Sequence, residues 1–319
     1  MSEQPSRSIG IATHPEPYIR LPTTSHQTTL IVLHGTSGNG PQFAEQFLPT
    51  LFSQPRATQA DASSVKVADK KFTLQEYFPN CKFVFPTGAF RKVTVFGGQE
   101  TNAWFDIADF GDRTKGEMEM IDGMWESCLY LADLVRNEIE ELSGKGDGKV
   151  VLAGLSQGSA TGIMLLLTGE IHRLGYQPGF GGFVGFSGWL PFRRQIEGVI
   201  SDEYNGKLDF GGDVAAKRTE TTSYIRRLLG LESSNSNDER YLPGQNHLDV
   251  PVFLGHGELD VKVNYQWGLE MRDTLSHLDM KISFKSYEGL HHWINEQEIE
   301  DVADFLGTLW YRGEAEADM

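Results

Sequence analysis

Short apolar runs recur along the whole chain, and several close on a glycine-rich turn that opens into a stretch with helical periodicity. That alternation constrains the fold more than any other feature, because strands separated by helices pair as a parallel sheet. TTLIVLHG (28–35) is continuous and β-branched, as a strand buried on both faces must be. CKFVFPT (81–87), KVVLAG (149–154), FGGFVGFSG (180–188) and VPVFLGHG (250–257) read the same way, and KISFKSY (281–287) is a shorter, alternating strand. Trp125, Leu129, Ala132, Val135 and Ile139 predict an amphipathic helix over Asp122–Leu142. Gln157–Thr168 is apolar nearly all round and predicts a buried helix, and Ile299, Val302, Leu306 and Leu309 give a C-terminal helix one apolar face. Right-handed crossovers then lead to an α/β fold: a doubly wound, mostly parallel sheet flanked by helices.

Two stretches break the rhythm. Residues 53–71 are small and polar, and residues 201–247 carry SSNSNDE beside the apolar fragment Tyr224–Leu231. Strands of the same type resume after each, so both are expected to be solvated insertions in a single domain over 1–319, with its core at about 28–310. The alternative for 201–247 is a lid over the site, since long loops in compact domains are often active-site elements.

Composition narrows the partners. Lys and Arg number 28 against 44 Asp and Glu, a formal charge of −16, so no broad positive field draws in nucleic acid or an anionic membrane. The longest apolar run, Leu152–Gly169, is interrupted by Ser, Gln, Thr and Gly, which argues against stable membrane insertion. MSEQPSRSIG lacks the basic and apolar regions of a secretory signal, so a cytoplasmic protein is expected, a placement that extends to the nucleus. Cys81 and Cys128 are too few for a disulfide framework and lack metal-ligand spacing.

Gly154-Leu155-Ser156-Gln157-Gly158 is a G-x-S-x-G. It lies between an apolar strand and a buried helix, where a nucleophile elbow belongs, and its glycines allow a turn in which any Cβ would clash. A serine hydroxyl needs a base, and the base needs a carboxylate, in the chain order Ser, Asp or Glu, His. Asp260 follows VPVFLGHG, and His292 lies in GLHHW between the last strand and the last helix. Spacing leaves Glu258 and His291 open beside them. His34-Gly35-Thr36-Ser37-Gly38 follows the first long strand, where a glycine-rich loop points an amide at a developing oxyanion. The backbone N–H groups of Thr36 and Gln157 are the expected donors.

With these motifs in place, the sequence resembles the acyl-protein thioesterase family, in the phospholipase/carboxylesterase branch of the α/β-hydrolases. The match runs from about Leu30 to Leu309 through LHG (33–35), FP (85–86), AWFDI (103–107), AGLSQGSA (153–160), FSGWLP (186–191), PVFLGHGELD (251–260) and YEGLHHWINEQEIEDVADFL (287–306). The resemblance implies a serine hydrolase with Ser156 as nucleophile, Asp260 as orienting acid and His292 as base, the family's Y-x-G-x-x-H block selecting His292 over His291. It places Trp104, Phe105 and Trp189 in blocks that flank the acyl-binding region, where an apolar acyl chain is the natural guest. The implied substrate is S-acylated (palmitoyl) protein, with a carboxylesterase or lysophospholipase acting on small or lipid esters as the alternative, and no metal or organic cofactor is called for. Readings from other classes are a non-catalytic hydrolase-like binding protein and a metal hydrolase using His291 and His292; the second is disfavoured by the absence of H-E-x-x-H. Exposed apolar surface around such a pocket would suit a homodimer. The chain departs from the family at Ser159, where a second glycine is usual, at Gly35-Thr36-Ser37-Gly38 in place of GLGD, at Trp293 after the histidine, and in a longer 192–249.

Overall fold

The computed structural model describes residues 13–53, 70–145, 148–173, 179–201, 213–231 and 245–315. Strands β1 (Tyr18–Arg20) and β2 (Thr28–Leu33) and helix α1 (Gly40–Phe47) lead into a short antiparallel ladder of β3 (Phe52–Ser53) with β4 (Lys71–Phe72). Next come helix α2 (Leu74–Tyr77), strand β5 (Cys81–Phe85), a hairpin of β6 (Phe90–Val93) with β7 (Gln99–Asn102), and the long helix α3 (Glu117–Glu141). Strand β8 (Val150–Leu155) turns at one residue into α4 (Gln157–Thr168), which is followed by α5 (Glu170–Arg173) and β9 (Phe180–Phe186). Helices α6 (Arg193–Ile200) and α7 (Val214–Leu229), strand β10 (Val252–Gly257), α8 (Tyr265–Ser276), β11 (Ile282–Tyr287) and α9 (Glu296–Ala315) complete the order.

The main sheet runs β1-β5-β2-β8-β9-β10-β11, parallel throughout except for β1, which pairs antiparallel with β5 at one edge. Each of the six apolar runs thus becomes a strand of this sheet. Within a strand, successive side chains enter opposite layers: Ile31 and Leu33 join Leu152 and Phe183 under α3 and α4, while Leu30 and Val32 join Phe83, Val151 and Val184 under α1 and α9. That period of two, with both faces covered, explains why the runs read as continuous rather than alternating.

Chain order reverses beside β2. The chain passes from β2 outward to β5, then returns across β2 to β8 and proceeds the other way. Loops leaving the carboxyl ends of strands on either side of such a switch diverge and leave a crevice, the usual ligand position in open α/β sheets. Here the two strands are β2 and β8, paired in register from Thr29 with Val150 to Leu33 with Gly154.

Two expectations need revision. Helix α3 begins at Glu117, before the expected Asp122, because Gly116 takes the left-handed conformation (φ 67°) that ends the preceding turn, and Glu117 and Glu119 suit the positive helix start. Part of 201–247 is not a solvated insertion. Helix α7 buries Ile225 and Leu229 completely in the core, and Arg226 reaches Glu170, the Thr168 carbonyl and the Leu231 carbonyl. The lid reading is not supported for 213–231, none of which lines the site cavity; 202–212 and 232–244 lie outside the described residues. Of the 53–71 stretch, 54–69 lie outside them too, and Lys71 is tied to Glu296 at 2.6 Å. Among the described residues no helix is long and apolar enough to cross a membrane.

Candidate active site

Ser156 sits alone between β8 and α4 with φ 56° and ψ −117°, a conformation that a side chain adopts only when its surroundings enforce it. Those surroundings are two glycines and one hydrogen bond. The Ser156 amide donates to the Phe186 carbonyl at 2.8 Å, and a Cβ at Gly158 would stand 2.6 Å from the Leu33 carbonyl oxygen and 2.7 Å from that of His34. A Cβ at Gly154 would collide with the Gly158 carbonyl. Both glycines of the motif are therefore required sterically, as the sequence implies. Because α4 starts at Gln157, the N–H groups of its first turn have no intrahelical acceptor and gather at the carboxyl edge of the sheet.

Asp260 and His292 meet as a pair. The carboxylate Oδ2 accepts from His292 Nδ1 at 2.7 Å, while Oδ1 accepts the amides of Lys262 at 2.8 Å and Val263 at 2.9 Å. Burial opposes ionisation of Asp260, but interactions with His256 and His292 and the Val263 amide outweigh it and hold the carboxyl well below its ordinary range. An ionised partner assigns the proton to Nδ1 of His292 and leaves Nε2 with a free lone pair, the tautomer a general base needs. Glu258 and His291 are exposed and stand outside this pairing, so the two alternatives that spacing left open separate in space.

Ser156 and His292 line one cavity of about 640 Å³, together with Gly35, Thr36 and Ser37 of the loop after β2. Its volume falls within the range of small-molecule sites. Phe43, Phe96, Phe110, Leu155 and Trp293 supply apolar wall. A Cβ on Gly35 would lie 3.4 Å from Ser156 Cβ and 3.9 Å from its Oγ, in ordinary contact, so the loop after β2 lies directly beside the hydroxyl.

The loop carrying Thr36 is held by groups that spacing did not identify. His34 Nε2 accepts from the Gly88 amide at 2.9 Å, and its Nδ1 therefore donates to the Gly35 carbonyl at 2.6 Å. Burial pushes its pKa down to about 4, so the ring stays neutral and keeps that tautomer. Trp104 Nε1 donates to the His34 carbonyl at 2.8 Å, and the Gln157 side chain bridges the Trp104 amide and the Phe105 carbonyl at 3.1 and 2.7 Å. Trp104 and Phe105 are fully buried and Trp189 nearly so, and none of them lines the cavity with Ser156. The three therefore stand behind the lining of this cavity and not in it. Trp104 and Phe105 brace the elbow and the loop after β2, and Trp189 faces a separate recess of about 190 Å³ shared with Arg113 and Trp267.

His256 is a further residue that sequence reasoning passed over. Fully buried, its Nε2 donates to the Val263 carbonyl at 2.9 Å and stands 3.5 Å from Asp260 Oδ2, which steadies the acid's turn from below. Its position four residues before Asp260, in GHGELD, was the available signal. Ser159 fills the place of the family's second glycine, its hydroxyl buried without a hydrogen-bond partner against Gly185 and Gly188. Trp293 contacts Phe43 edge-on at 6.3 Å and forms part of the cavity rim. Cys81 and Cys128 are buried free thiols, and among the described residues no cluster of three or more His, Cys, Asp or Glu side chains could hold a metal ion.

Comparison with known proteins gives a consistent frame. The phospholipase/carboxylesterase family model matches residues 63–203 and 220–310. Acyl-protein thioesterase 1 of Candida albicans is 26% identical over 294 residues, covering 91% of this chain and 96% of that protein. Acyl-protein thioesterase 1 of Cryptococcus neoformans is 26% identical over 298 residues, covering 89% and 93%. The crystal structure of Zea mays acyl-protein thioesterase 2 superposes with a TM-score of 0.58 at 22% identity, covering 92% of this chain and 99% of that one, and it shares the α/β-hydrolase fold.

Proposed function

The chain belongs to the phospholipase/carboxylesterase family of hydrolases, and from that premise we propose that it cleaves acyl thioesters by serine catalysis, with S-acylated (palmitoyl) protein as its substrate. The observation that carries the reading is the 2.7 Å bond between His292 Nδ1 and Asp260, made at the wall of the cavity that also contains Ser156. The thioesterase relatives, which align over about nine-tenths of this chain, support the choice of substrate.

In this reading Nε2 of His292 takes the Ser156 proton as Oγ attacks the acyl carbonyl. The negative charge that develops on the carbonyl oxygen is met by the amides of Thr36 and Gln157, each such donor being worth about 10²–10³ in rate. His292 then protonates the departing sulfur, the acyl group remains on Ser156, and water activated by the same Nε2 releases the acid. Asp260 stays ionised throughout and keeps the imidazole oriented. The acyl chain lies along Phe43, Phe96, Phe110 and Trp293 rather than against Trp104 and Phe105. Oxygen esters pass through the same intermediates, so carboxylesterase or lysophospholipase activity belongs to the same site.

The test is a matched panel of S-palmitoyl peptide, S-acyl thiols and p-nitrophenyl esters of several chain lengths, assayed with the wild type and Ser156→Ala. Turnover of the palmitoyl peptide that disappears in Ser156→Ala is the expected result. Efficient ester turnover with an untouched palmitoyl peptide would retain serine catalysis and discard the proposed substrate.

A further inference from the structure

The cavity wall carries a charge pattern opposite to that of the molecule. The chain has a net charge of −16, yet apart from histidines the ionisable side chains lining the cavity are Arg113 and Lys262, with no carboxylate among the lining residues.

Arg113 is the unusual member. It is buried, with 9% of its surface exposed, and its guanidinium stands 4.4 Å from the ring centre of Trp189, 5.3 Å from Phe110 and 5.4 Å from Trp267. Of the five N–H donors of a guanidinium, one on Nη1 meets the Asp109 carbonyl at 3.3 Å and one on Nη2 the Lys262 carbonyl at 3.1 Å, while Nε is buried without a partner. Among the described residues no carboxylate lies within ion-pair distance of it. The nearby Asp109 carboxylate is bound to Lys115 at 2.7 Å, and Asp260 is engaged with His292. Burial pushes the group's pKa down to about 10, which still leaves it charged at neutral pH.

Elsewhere the chain neutralises its buried cations directly: Arg226 is paired with Glu170, Lys82 with Glu138 at 2.8 Å, and Arg218 with Asp249 at 2.7 Å. A cation withdrawn from water without a directly paired counter-charge is costly; the charges of Asp109 and Asp260 act on Arg113 only from a distance, and stacking on aromatic rings recovers only part of that cost. A purely structural arginine at this position would be expected to have a carboxylate built beside it, as the other three do. Here Arg113 lines both the cavity with Ser156 and the recess with Trp189 and Trp267, and the carboxylates of that recess, Asp112, Glu117 and Glu270, make no ion pair with it.

We propose that Arg113, with Lys262 at the rim, forms an anion-recognising subsite, so that the preferred substrates carry a carboxylate or phosphate within reach of the reacting carbonyl. The proposal rests on the hydrolase reading above and adds a substrate class to it. The anion can belong to the acyl group or to the leaving group, and the two are separable.

The experiment measures kcat/KM for two matched pairs at low ionic strength. p-Nitrophenyl hemiglutarate against p-nitrophenyl valerate places the charge on the acyl side; the butyryl thioester of 3-mercaptopropionate against that of 1-propanethiol places it on the leaving side. The wild type is expected to prefer the charged member of one pair by about tenfold or more, as a charge-assisted contact implies. Arg113→Met should bring that ratio to one or below, and Arg113→Lys should retain part of it. Lys262→Met, at an exposed position that does not endanger folding, should lower the ratio by a smaller factor. Ratios at or below one for both pairs in the wild type, alongside Ser156-dependent turnover of the neutral esters, would overturn the subsite and leave the hydrolase reading intact. A preference that survives both Arg113→Met and Lys262→Met would also overturn it. Absence of Ser156-dependent turnover on every ester would remove the hydrolase reading and this proposal together.

Discussion

Asp260 sets the electrostatics of the pair it forms with His292. Its two oxygens divide their work, one held by the Lys262 and Val263 amides and the other turned to His292. Asp260→Asn presents an amide donor to Nδ1, reverses the histidine tautomer and is expected to cost about 10³–10⁴ in kcat with little change in fold. His292→Ala should lose a comparable factor, whereas His291→Ala, whose side chain is exposed, should stay within about threefold in kcat/KM. Steady-state kinetics on one p-nitrophenyl ester decides it, and a greater loss in His291→Ala would reverse the assignment. The strand-end positions of Ser156, Asp260 and His292 were legible in the sequence because their chain order repeats a known arrangement, and the roles proposed for them rest on that order and on the bond between Asp260 and His292. Arg113 was not. It stands in the polar stretch GDRTKGE, and its burial depends on Trp189 and Trp267, which only the fold brings to it.

Among the elements, the unit from β8 to α4 tolerates least. Gly158→Ala drives a Cβ to 2.6 Å from a backbone carbonyl, so the strand or the helix must move, and a loss of about 1–3 kcal/mol or more, up to failure to fold, is expected. Gly307 in α9 gives the opposite result. A Cβ there meets nothing within 4 Å, and Gly307→Ala should stabilise by about 0.5–1 kcal/mol through helix propensity alone. Chemical denaturation of the two variants checks the contrast, and a destabilised Gly307→Ala would mean that α9 packs differently. Helix α7 is the element that the sequence obscured. Its stretch VAAKRTETTSYIRRLL is mostly polar and reads as surface, yet Arg218 and Arg226 are spent on carbonyls and carboxylates rather than on solvent. Leu229→Ala removes a fully buried side chain and should cost about 2–4 kcal/mol in urea unfolding. A loss below about 0.5 kcal/mol, typical of surface substitutions, would return 213–231 to the class of surface insertions. Six strands of the main sheet, by contrast, were legible almost to the residue, since continuous apolar runs bounded by glycine have few other uses, whereas the edge strand β1 and the short pairs β3–β4 and β6–β7 were not.

Across the whole molecule, stability against pH is expected to pass through a maximum. Glu298, at the start of α9, is fully buried with both oxygens unpartnered, and burial together with the Asp301 charge raises its pKa well above 4.5. Above about pH 4.5 the unfolded chain releases that proton while the folded protein keeps it, so this residue makes stability fall as pH rises. Asp260 acts in the other direction: its depressed pKa contributes stability above the ordinary carboxylate range that is lost on acidification. Glu298→Gln should flatten the alkaline slope of stability measured from pH 5 to 8, and an unchanged slope would show that the buried carboxyl is not the titrating group.

The central claim is that Ser156, activated by His292, is the nucleophile of the hydrolase. Its most direct test is treatment of the folded protein with a fluorophosphonate, with the modified residue mapped by mass spectrometry. The account predicts a single adduct on Ser156, formed slowly in His292→Ala and absent in Ser156→Ala. An unlabelled sample of intact fold, or an adduct on another residue, would contradict it.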